Sequence, residues 1–419
     1  MYAKILTAYL ALIISTVSVN SCASSGKPDE AKSTDSTKAT ETITLENKYE
    51  KDFLQETNIH NFELELFKTA AKLNKNKSFV ISPVSASFTT SMAANICDSA
   101  LQNRILNIFN FENIAQLNDY NRQLIDTLTK DCSDSGSEIY IGNALWLAKN
   151  KRADLSDKIK ADLSHNFDAK IEYIDFSSAN SLGEIKEWGK SITNGHMTPS
   201  LSNIDDYIFL LMNLFFYKGG WDNSFNEEDT KTEIFHKSDV DKKVLMMKRS
   251  DYMRYLKTDD YQAVSLNLSG NSSMTLILPD KKISTSKIIS GLELSSINRI
   301  ANESTSTEIQ LSLPKYNISS QQSILRTLKG LEIDIKPDNF RNIVSSLRDS
   351  IVFDQLATIT VNETGTAVYA ETTISCILLG AYDDDTQPIV VSFDRPFLFL
   401  IRNNITNSII IAGQYMGPE

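Results

Sequence analysis

The sequence has 419 residues, of which 41% are hydrophobic, so it carries enough apolar material for one large domain or two smaller ones. Its formal net charge is −11, and no run of Lys and Arg forms a patch for an anionic polymer or lipid surface. These features argue against a nucleic-acid-binding protein.

The N-terminus has the pattern of an export signal. Lys4 is followed by an apolar stretch from Ile5 to Val19 and then by Ser21-Cys22. A short apolar run behind a basic start is typical of a secretion signal, and V-N-S-C resembles the site at which bacterial lipoproteins are cleaved and acylated. We therefore expect residues 1–21 to be a lipoprotein signal. Lipid on Cys22 would hold the protein in the bacterial cell envelope, at the outer membrane or cell surface. An ordinary secretion signal or a membrane-anchoring helix is the alternative.

The next stretch is polar. Residues 22–49 are rich in Ser, Thr, Lys and acidic residues. Such a composition cannot bury enough apolar surface to order the chain, so a flexible tether is predicted. The single folded domain is then predicted to occupy residues 50–419.

Helical patterns come mostly first in the folded region. The first predicted helix has an apolar face made of Ile59, Phe62, Leu66, Ala70 and Leu73. A short strand, Phe79 to Ile81, then runs into a second helix, for which Ser82 is a natural N-cap and Pro83 suits the first turn.

Strand patterns dominate the remainder. We predict a helix at 153–167, strands at 138–150, 207–221, 273–279, 308–316 and 357–361, and two strands within 388–418 that meet at Asn403-Asn404. This order predicts an α+β fold with large, mostly antiparallel sheets.

The sequence lacks the common catalytic and metal-binding motifs. Its four His form no H-E-x-x-H pattern, and there is no G-x-S-x-G elbow or G-x-x-x-x-G-K loop. Besides Cys22 there are Cys97, Cys132 and Cys376, an odd number at spacings that fit neither a disulfide framework nor a zinc site. We therefore expect no enzyme, no cofactor and no metal, although a triad assembled from distant residues stays open because triads are geometric.

Five motifs carry a resemblance to a known family. They are F-V-I-S-P-V-S at 79–85, N-L-F-F-Y-K-G-G-W at 213–221, L-S-L-P-K-Y at 311–316, V-N-E-T-G-T-A at 361–367 and V-S-F-D-R-P-F-L-F-L-I-R at 391–402. In this order and spacing, from about residue 55 to 418, they resemble the serpin family. The second motif has Tyr217 where the family has Phe.

The resemblance implies the serpin fold and a way of acting that is not enzymatic. Serpins present an exposed reactive loop, here about 363–390, as bait to a protease. After cleavage and formation of an acyl-enzyme, the loop inserts as a new strand into the main sheet and carries the protease with it. A monomer whose partner is a protease is therefore expected.

The alternation of the hinge residues suits insertion. Counted from Glu363 and Gly365, the side chains that would point into the protein are small or apolar: Thr366, Val368, Ala370, Thr372, Ile374 and Cys376. The outward set includes Tyr369 and Glu371. A slip of one residue would bury Glu371, so the pattern specifies one register.

Two supporting regions follow from the resemblance. Where the loop enters the sheet, Glu363 is expected to meet Lys315, with Trp221 packed nearby. An ordinary surface ion pair beside a core Trp is the alternative.

A control point beneath the centre of the sheet is expected at Ser82 and Ser85. The chain departs from the family there, with Lys186 in place of Asn and Gln355 in place of His, so we expect a rearranged polar network.

The scissile bond is placed by counting. Counting forward from Glu363 gives Leu379-Gly380, with Leu378 and Tyr382 as alternatives. Counting back from the C-terminal motif gives a position near Asp385, because this loop is longer than usual. Leu379 would suit the primary pocket of a chymotrypsin-like, elastase-like or papain-like protease.

Two other classes remain open. A non-inhibitory binding or storage protein with the serpin fold is favoured by Lys186 and Gln355. A solute-binding lipoprotein would share the anchor and the size but not the five motifs.

Overall fold

The structure is a computed structural model, and it describes residues 58–133, 137–149, 155–199, 201, 204–205, 207–237, 240–302, 305–341, 343, 354–366 and 388–418. The helices are α1 (Ile59–Leu73), α2 (Pro83–Ile96), α3 (Ser99–Phe109), α4 (Ile114–Ser133), α5 (Asp157–Phe167), α6 (Ser181–Ile192), α7 (Thr285–Gly291), α8 (Leu294–Asn302) and α9 (Ile324–Gly330). The strands are β1 (Phe79–Ile81), β2 (Glu138–Ala148), β3 (Lys170–Ile174), β4 (Phe209–Gly220), β5 (Lys231–His236), β6 (Asp241–Lys257), β7 (Tyr261–Leu268), β8 (Ser272–Pro279), β9 (Thr305–Pro314), β10 (Tyr316–Ser323), β11 (Asp354–Asn362), β12 (Gly365–Thr366), β13 (Ile389–Ser392), β14 (Phe397–Asn403) and β15 (Ile409–Tyr415).

The start of α2 follows the sequence prediction. Ser82 is extended and its hydroxyl accepts a hydrogen bond from the Ser85 N–H, while Pro83 occupies the first turn. Nearly all of α2 is buried, which makes it a central core helix. In α1 the predicted apolar face is buried except for Leu73, which ends the helix and is 47% exposed.

Two sheets organise the strands. The larger runs in the order β1-β15-β14-β8-β7-β6-β9-β13, with β5 paired to β6. The second, which we call the central sheet, runs in the order β10-β11-β12-β4-β2-β3. Most pairs are antiparallel, and β2–β3 and β9–β13 are parallel. These elements confirm the α+β class.

The central sheet is covered on both faces by apolar clusters. Alternate residues of β4, such as Leu210 and Met212, pack in a cluster with Ile185 of α6. The residues between them, including Leu211, belong to the other cluster, which contains α2. A polar residue on β4 therefore faces either α2 or α6 according to its parity.

The C-terminal prediction was partly wrong. The hairpin of β14 and β15 is present, but Ile389–Ser392 forms a third strand, β13, that pairs with β9 and not with its sequence neighbours. The predicted strand at 308–316 is also two strands, since β9 ends at Pro314 and β10 begins at Tyr316.

Candidate functional site

The site begins where two residues of the hinge enter the central sheet. Gly365 and Thr366 form β12, which pairs antiparallel with β11 on one side and with β4 on the other. Thr366 lies opposite Val361 and Gly219, is 2% exposed, and donates its hydroxyl hydrogen to the Gly219 carbonyl at 3.3 Å. The hinge is therefore already part of the sheet at this point.

Gly365 is required by close approach of the backbone. A Cβ atom added there would lie 2.3 Å from the Gly219 carbonyl oxygen and 2.7 Å from the Gly220 Cα. Neither backbone atom can move without breaking the pairing of β12 with β4, so only glycine fits.

The turn before β12 is held by a dense set of hydrogen bonds. The Asn362 carboxamide oxygen accepts from the N–H of Thr364 at 3.1 Å and of Gly365 at 3.2 Å. The Trp221 indole N–H donates to the Asn362 carbonyl at 2.8 Å, and the Trp221 backbone N–H donates to the Thr364 carbonyl at 3.0 Å. Trp221 thus fixes the turn through hydrogen bonds as well as packing.

Glu363 and Lys315 are in contact, as expected. Lys315 Nζ lies 2.6 Å from Glu363 Oε2, and the Thr230 hydroxyl donates to Oε1 at 2.8 Å. The Glu363 side chain is 6% exposed and that of Lys315 is 34% exposed. Burial by itself would raise the pKa of Glu363, but hydrogen bonds from Lys315, its own backbone and Thr230 together hold that pKa below its usual value. The carboxylate is therefore a charged anchor for the hinge.

Below Thr366 the central sheet is open. In the described part of the chain, no backbone pairing joins β4 directly to β11, and a cleft of about 510 Å³ separates them. The cleft is lined by β4, β11, the first two turns of α2 and the segment 196–199 that follows α6. Its two edges offer unpaired strand backbone, so the arrangement can accept an additional strand.

A polar network crosses the floor of the cleft. The Gln355 side chain accepts from the Ser82 N–H at 2.8 Å and donates to the Ser82 carbonyl at 2.9 Å. The Ser85 hydroxyl donates to the Asn213 side chain, whose amide donates to Asn143 Oδ1 at 2.7 Å. Gln355 therefore ties β11 to α2, while Ser85 and Asn213 tie α2 to β4.

The placement of Lys186 at this network was wrong. Lys186 lies on α6, which packs on the face of the central sheet opposite to α2. None of the hydrogen bonds and ion pairs found among the described residues joins it to Ser82, Ser85 or Gln355. The sheet itself stands between these residues, because the Ile185 side chain beside Lys186 packs on the far side of β4.

Sequence reasoning missed three residues of the site. Asn213 was quoted only as part of a motif and Asn143 and Thr230 were not singled out, yet Asn213 and Asn143 complete the network and Thr230 is the second donor to Glu363. The odd parity of Asn213 in an otherwise apolar strand was the available signal, since a polar residue on a buried face needs partners.

Several predicted site residues lie outside the described residues. These are Cys22, Val368, Ala370, Leu378, Leu379, Gly380 and Tyr382. Within the described residues, no group of His, Cys, Asp and Glu is arranged to hold a metal ion. No described helix is both long and apolar enough to cross a membrane.

The fold and the site define a class of protein: an α+β domain whose main sheet is open at its centre, with a conserved-length hinge turn entering the top of the opening. The chain belongs to the serpin family, because the model for serpins (serine protease inhibitors) matches residues 57–418. The family expectation and the serpin fold are thereby confirmed.

Relatives in this family have different activities. The chain is 27% identical to human corticosteroid-binding globulin over 373 residues, which covers 85% of this chain and 89% of that protein. It is also 27% identical to bovine antithrombin-III over 371 residues, which covers 82% and 77%. The native-state structure of the thermophilic serpin tengpin superposes with a TM-score of 0.74 at 24% identity, over 86% of this chain and 93% of that one. Serpins are generally inhibitors and not catalytic enzymes, and some members are binding proteins.

Proposed function

We propose that the protein is a suicide-substrate inhibitor of serine endopeptidases, with papain-like cysteine endopeptidases as a second target class. The observation that carries this proposal is the position of Thr366, paired on both sides at the head of an open cleft. A loop that continued from Thr366 would enter the cleft as a central strand.

The register of β12 gives the proposal a specific content. Six residues after Thr366 is Thr372, and the residues six before its partners Val361 and Gly219 are Gln355 and Asn213. If the register continues, the one polar inward residue in the middle of the loop meets the polar network on the cleft floor. Val368 and Ala370, likewise, would come opposite Ile359 and Ala357 of β11, which are buried.

Mixing with chymotrypsin, elastase or papain, followed by a denaturing gel, tests the proposal. We expect a covalent complex that survives SDS and a loop cut at Leu379-Gly380, with Leu378 and Tyr382 as alternative sites. Cleavage of the loop without a complex, and without a gain in thermal stability, would falsify the inhibitory function.

A non-inhibitory binding protein is the second candidate. It is supported by the similarity to corticosteroid-binding globulin and by Gln355, which links β11 to α2 through two hydrogen bonds and so opposes opening of the sheet. Cleavage without complex formation would favour this candidate. The third class, a solute-binding lipoprotein, loses its support because the serpin match spans residues 57–418.

We also propose that Cys22 is acylated and anchors the protein in a bacterial cell envelope through the tether of residues 22–49. The support is the signal-like pattern of the sequence. Labelling of producing cells with an alkyne fatty acid should mark the wild-type protein and not the Cys22→Ser variant. Equal labelling of both would remove this proposal.

A further inference from the structure

Two apolar side chains on the larger sheet are unusually exposed. Val390 on β13 is 65% exposed and Tyr252 on β6 is 62% exposed, the two highest values among the large hydrophobic residues that the structure describes. Single exposed apolar residues are common on protein surfaces, so their relative position decides whether they form a surface of interest.

Strand register places both side chains on one face. Val390 lies opposite Gln310, which lies opposite Ser250, while Tyr252 lies opposite Glu308. Directly paired residues point to the same side of a sheet, so these five residues share a face that we call the β9 face. Tyr252 and Val390 are two strands and two residues apart, about 12 Å between their Cα atoms.

The other side of the same strands is core. Ile309 and Leu311 of β9 and Val391 of β13 are at most 1% exposed, so the sheet is firmly seated and the β9 face looks outward. It combines an aromatic ring and an aliphatic side chain with a carboxylate, an amide and a hydroxyl. Tyr is enriched at the centres of protein interfaces, where a polar rim surrounds an apolar contact.

The β9 face adjoins the place where the reactive loop returns to the fold. The described chain resumes at Pro388, and β13 begins at the next residue. From the proposed bond at Leu379-Gly380 to Ile389 the chain can span at most about 30 Å. A protease of about 230 residues has a radius of gyration of about 17 Å and hence a diameter of about 45 Å. A protease bound at that bond therefore reaches the edge of the sheet at β13.

We propose that the β9 face is a second docking surface for the protease that takes the reactive loop, with Tyr252 and Val390 as its apolar contacts and Glu308 as its charged one. The inference rests on the proposed function, since it uses the loop as the first contact. It commits to a partner with an apolar patch beside a basic side chain, next to its substrate groove.

The test is the second-order rate constant for reaction of the whole chain with chymotrypsin, elastase and papain. We expect Tyr252→Ala and Val390→Ser each to lower that constant about tenfold for the protease that docks, because a tenfold change corresponds to the loss of one modest interface contact. Tyr252→Phe keeps the ring and should stay within about twofold. Ile234→Ala, a 42% exposed side chain on β5 of the same sheet, is the matched control and should leave the rate unchanged.

The outcomes separate the two proposals. Rates for Tyr252→Ala and Val390→Ser equal to wild type, with circular dichroism showing folded proteins, overturn the docking surface while leaving the inhibitory function intact. If wild type is cleaved in the loop without an SDS-stable complex, the inhibitory function fails, and kcat/KM for loop cleavage still measures docking by the same comparison. Resistance of wild type to all three proteases overturns both.

Discussion

The ion pair between Glu363 and Lys315 allows a quantitative test of how the hinge is anchored. The carboxylate is almost fully buried and receives hydrogen bonds from Lys315 and from Thr230. Lys315→Met leaves that carboxylate with one hydroxyl donor, whereas Glu363→Gln removes its charge. A double-mutant cycle with both changes isolates the energy of the pair.

The magnitude follows from geometry and exposure. A hydrogen bond between charged groups contributes about 1.5–3 kcal/mol, and a Lys side chain that is 34% exposed is partly screened by water. We therefore expect a coupling energy of about 1–2 kcal/mol for the hinge pair. The surface pair Lys287–Asp260 has a similar separation of 2.8 Å, but its side chains are 57% and 48% exposed. For Lys287→Met and Asp260→Asn we expect a coupling energy below about 0.5 kcal/mol.

The assay is urea unfolding of the uncleaved protein at pH 7, followed by far-ultraviolet circular dichroism. If unfolding is irreversible, unfolding rates at a fixed urea concentration give the same cycle. Equal coupling energies for the hinge pair and the surface pair would refute the reasoning, because burial would then make no difference.

The same pair predicts a pH dependence. The pKa of Glu363 is lowered from its ordinary value of 4.5, so its contribution to stability is present above that value and is lost as pH falls through the folded-state pKa. Wild type should lose more stability than Glu363→Gln between roughly pH 5 and pH 3. Parallel pH profiles for the two proteins would contradict this assignment.

Three further predictions concern neighbouring features. Thr366→Arg places a guanidinium at a position that is 2% exposed, so we expect loop cleavage without an SDS-stable complex on a denaturing gel. Gln355→Leu removes both hydrogen bonds to the Ser82 backbone and should lower the free energy of unfolding by about 2–3 kcal/mol in urea titrations. Burial raises the pKa of the Cys97 thiol to about 12, so iodoacetamide at pH 8 should label Cys97 in urea but not in the native protein, as read by peptide mass spectrometry.

Each of these has a control within the chain. Thr366→Ser keeps a small hydroxyl side chain and should retain complex formation. Gln355→His can keep one of the two hydrogen bonds to Ser82 and should lose less stability than Gln355→Leu. Loss of the complex in Thr366→Ser, equal losses for the two Gln355 variants, or labelling of native Cys97 would each contradict the corresponding argument.

The hinge could be predicted from sequence because its signals are local. The strand at β11, the turn at Asn362 and the glycine at Gly365 lie within a few residues of one another, and the motif that contains them fixes their spacing. The contact of Glu363 with Lys315 followed from two motifs of the family resemblance. Thr230 belongs to a stretch outside the five motifs, so its contact with Glu363, 133 residues away, had no local signal.

The errors arise where partners are distant in sequence. Lys186 was assigned by its place in a motif, but which face of the sheet it occupies depends on how α6 packs on β2 and β4. β13 was merged with its neighbours because its residues show no clean alternation, with Ile389 and Val390 both exposed. Its pairing partner β9 lies about eighty residues earlier, and register between distant strands is set by tertiary packing.

The two hydrogen-bonded residues of β12 have a consequence for the time course of insertion. Starting a new strand is slow, since several dihedral angles are fixed before the first bonds compensate for their loss of freedom, whereas lengthening an existing strand adds bonds with each residue. Because Gly365 and Thr366 are paired before any cleavage, only the lengthening steps remain. The time available to a protease to complete hydrolysis and leave is therefore limited by how fast β4 and β11 separate, and the hydrogen bonds of Gln355 and Asn213 to α2 set that rate.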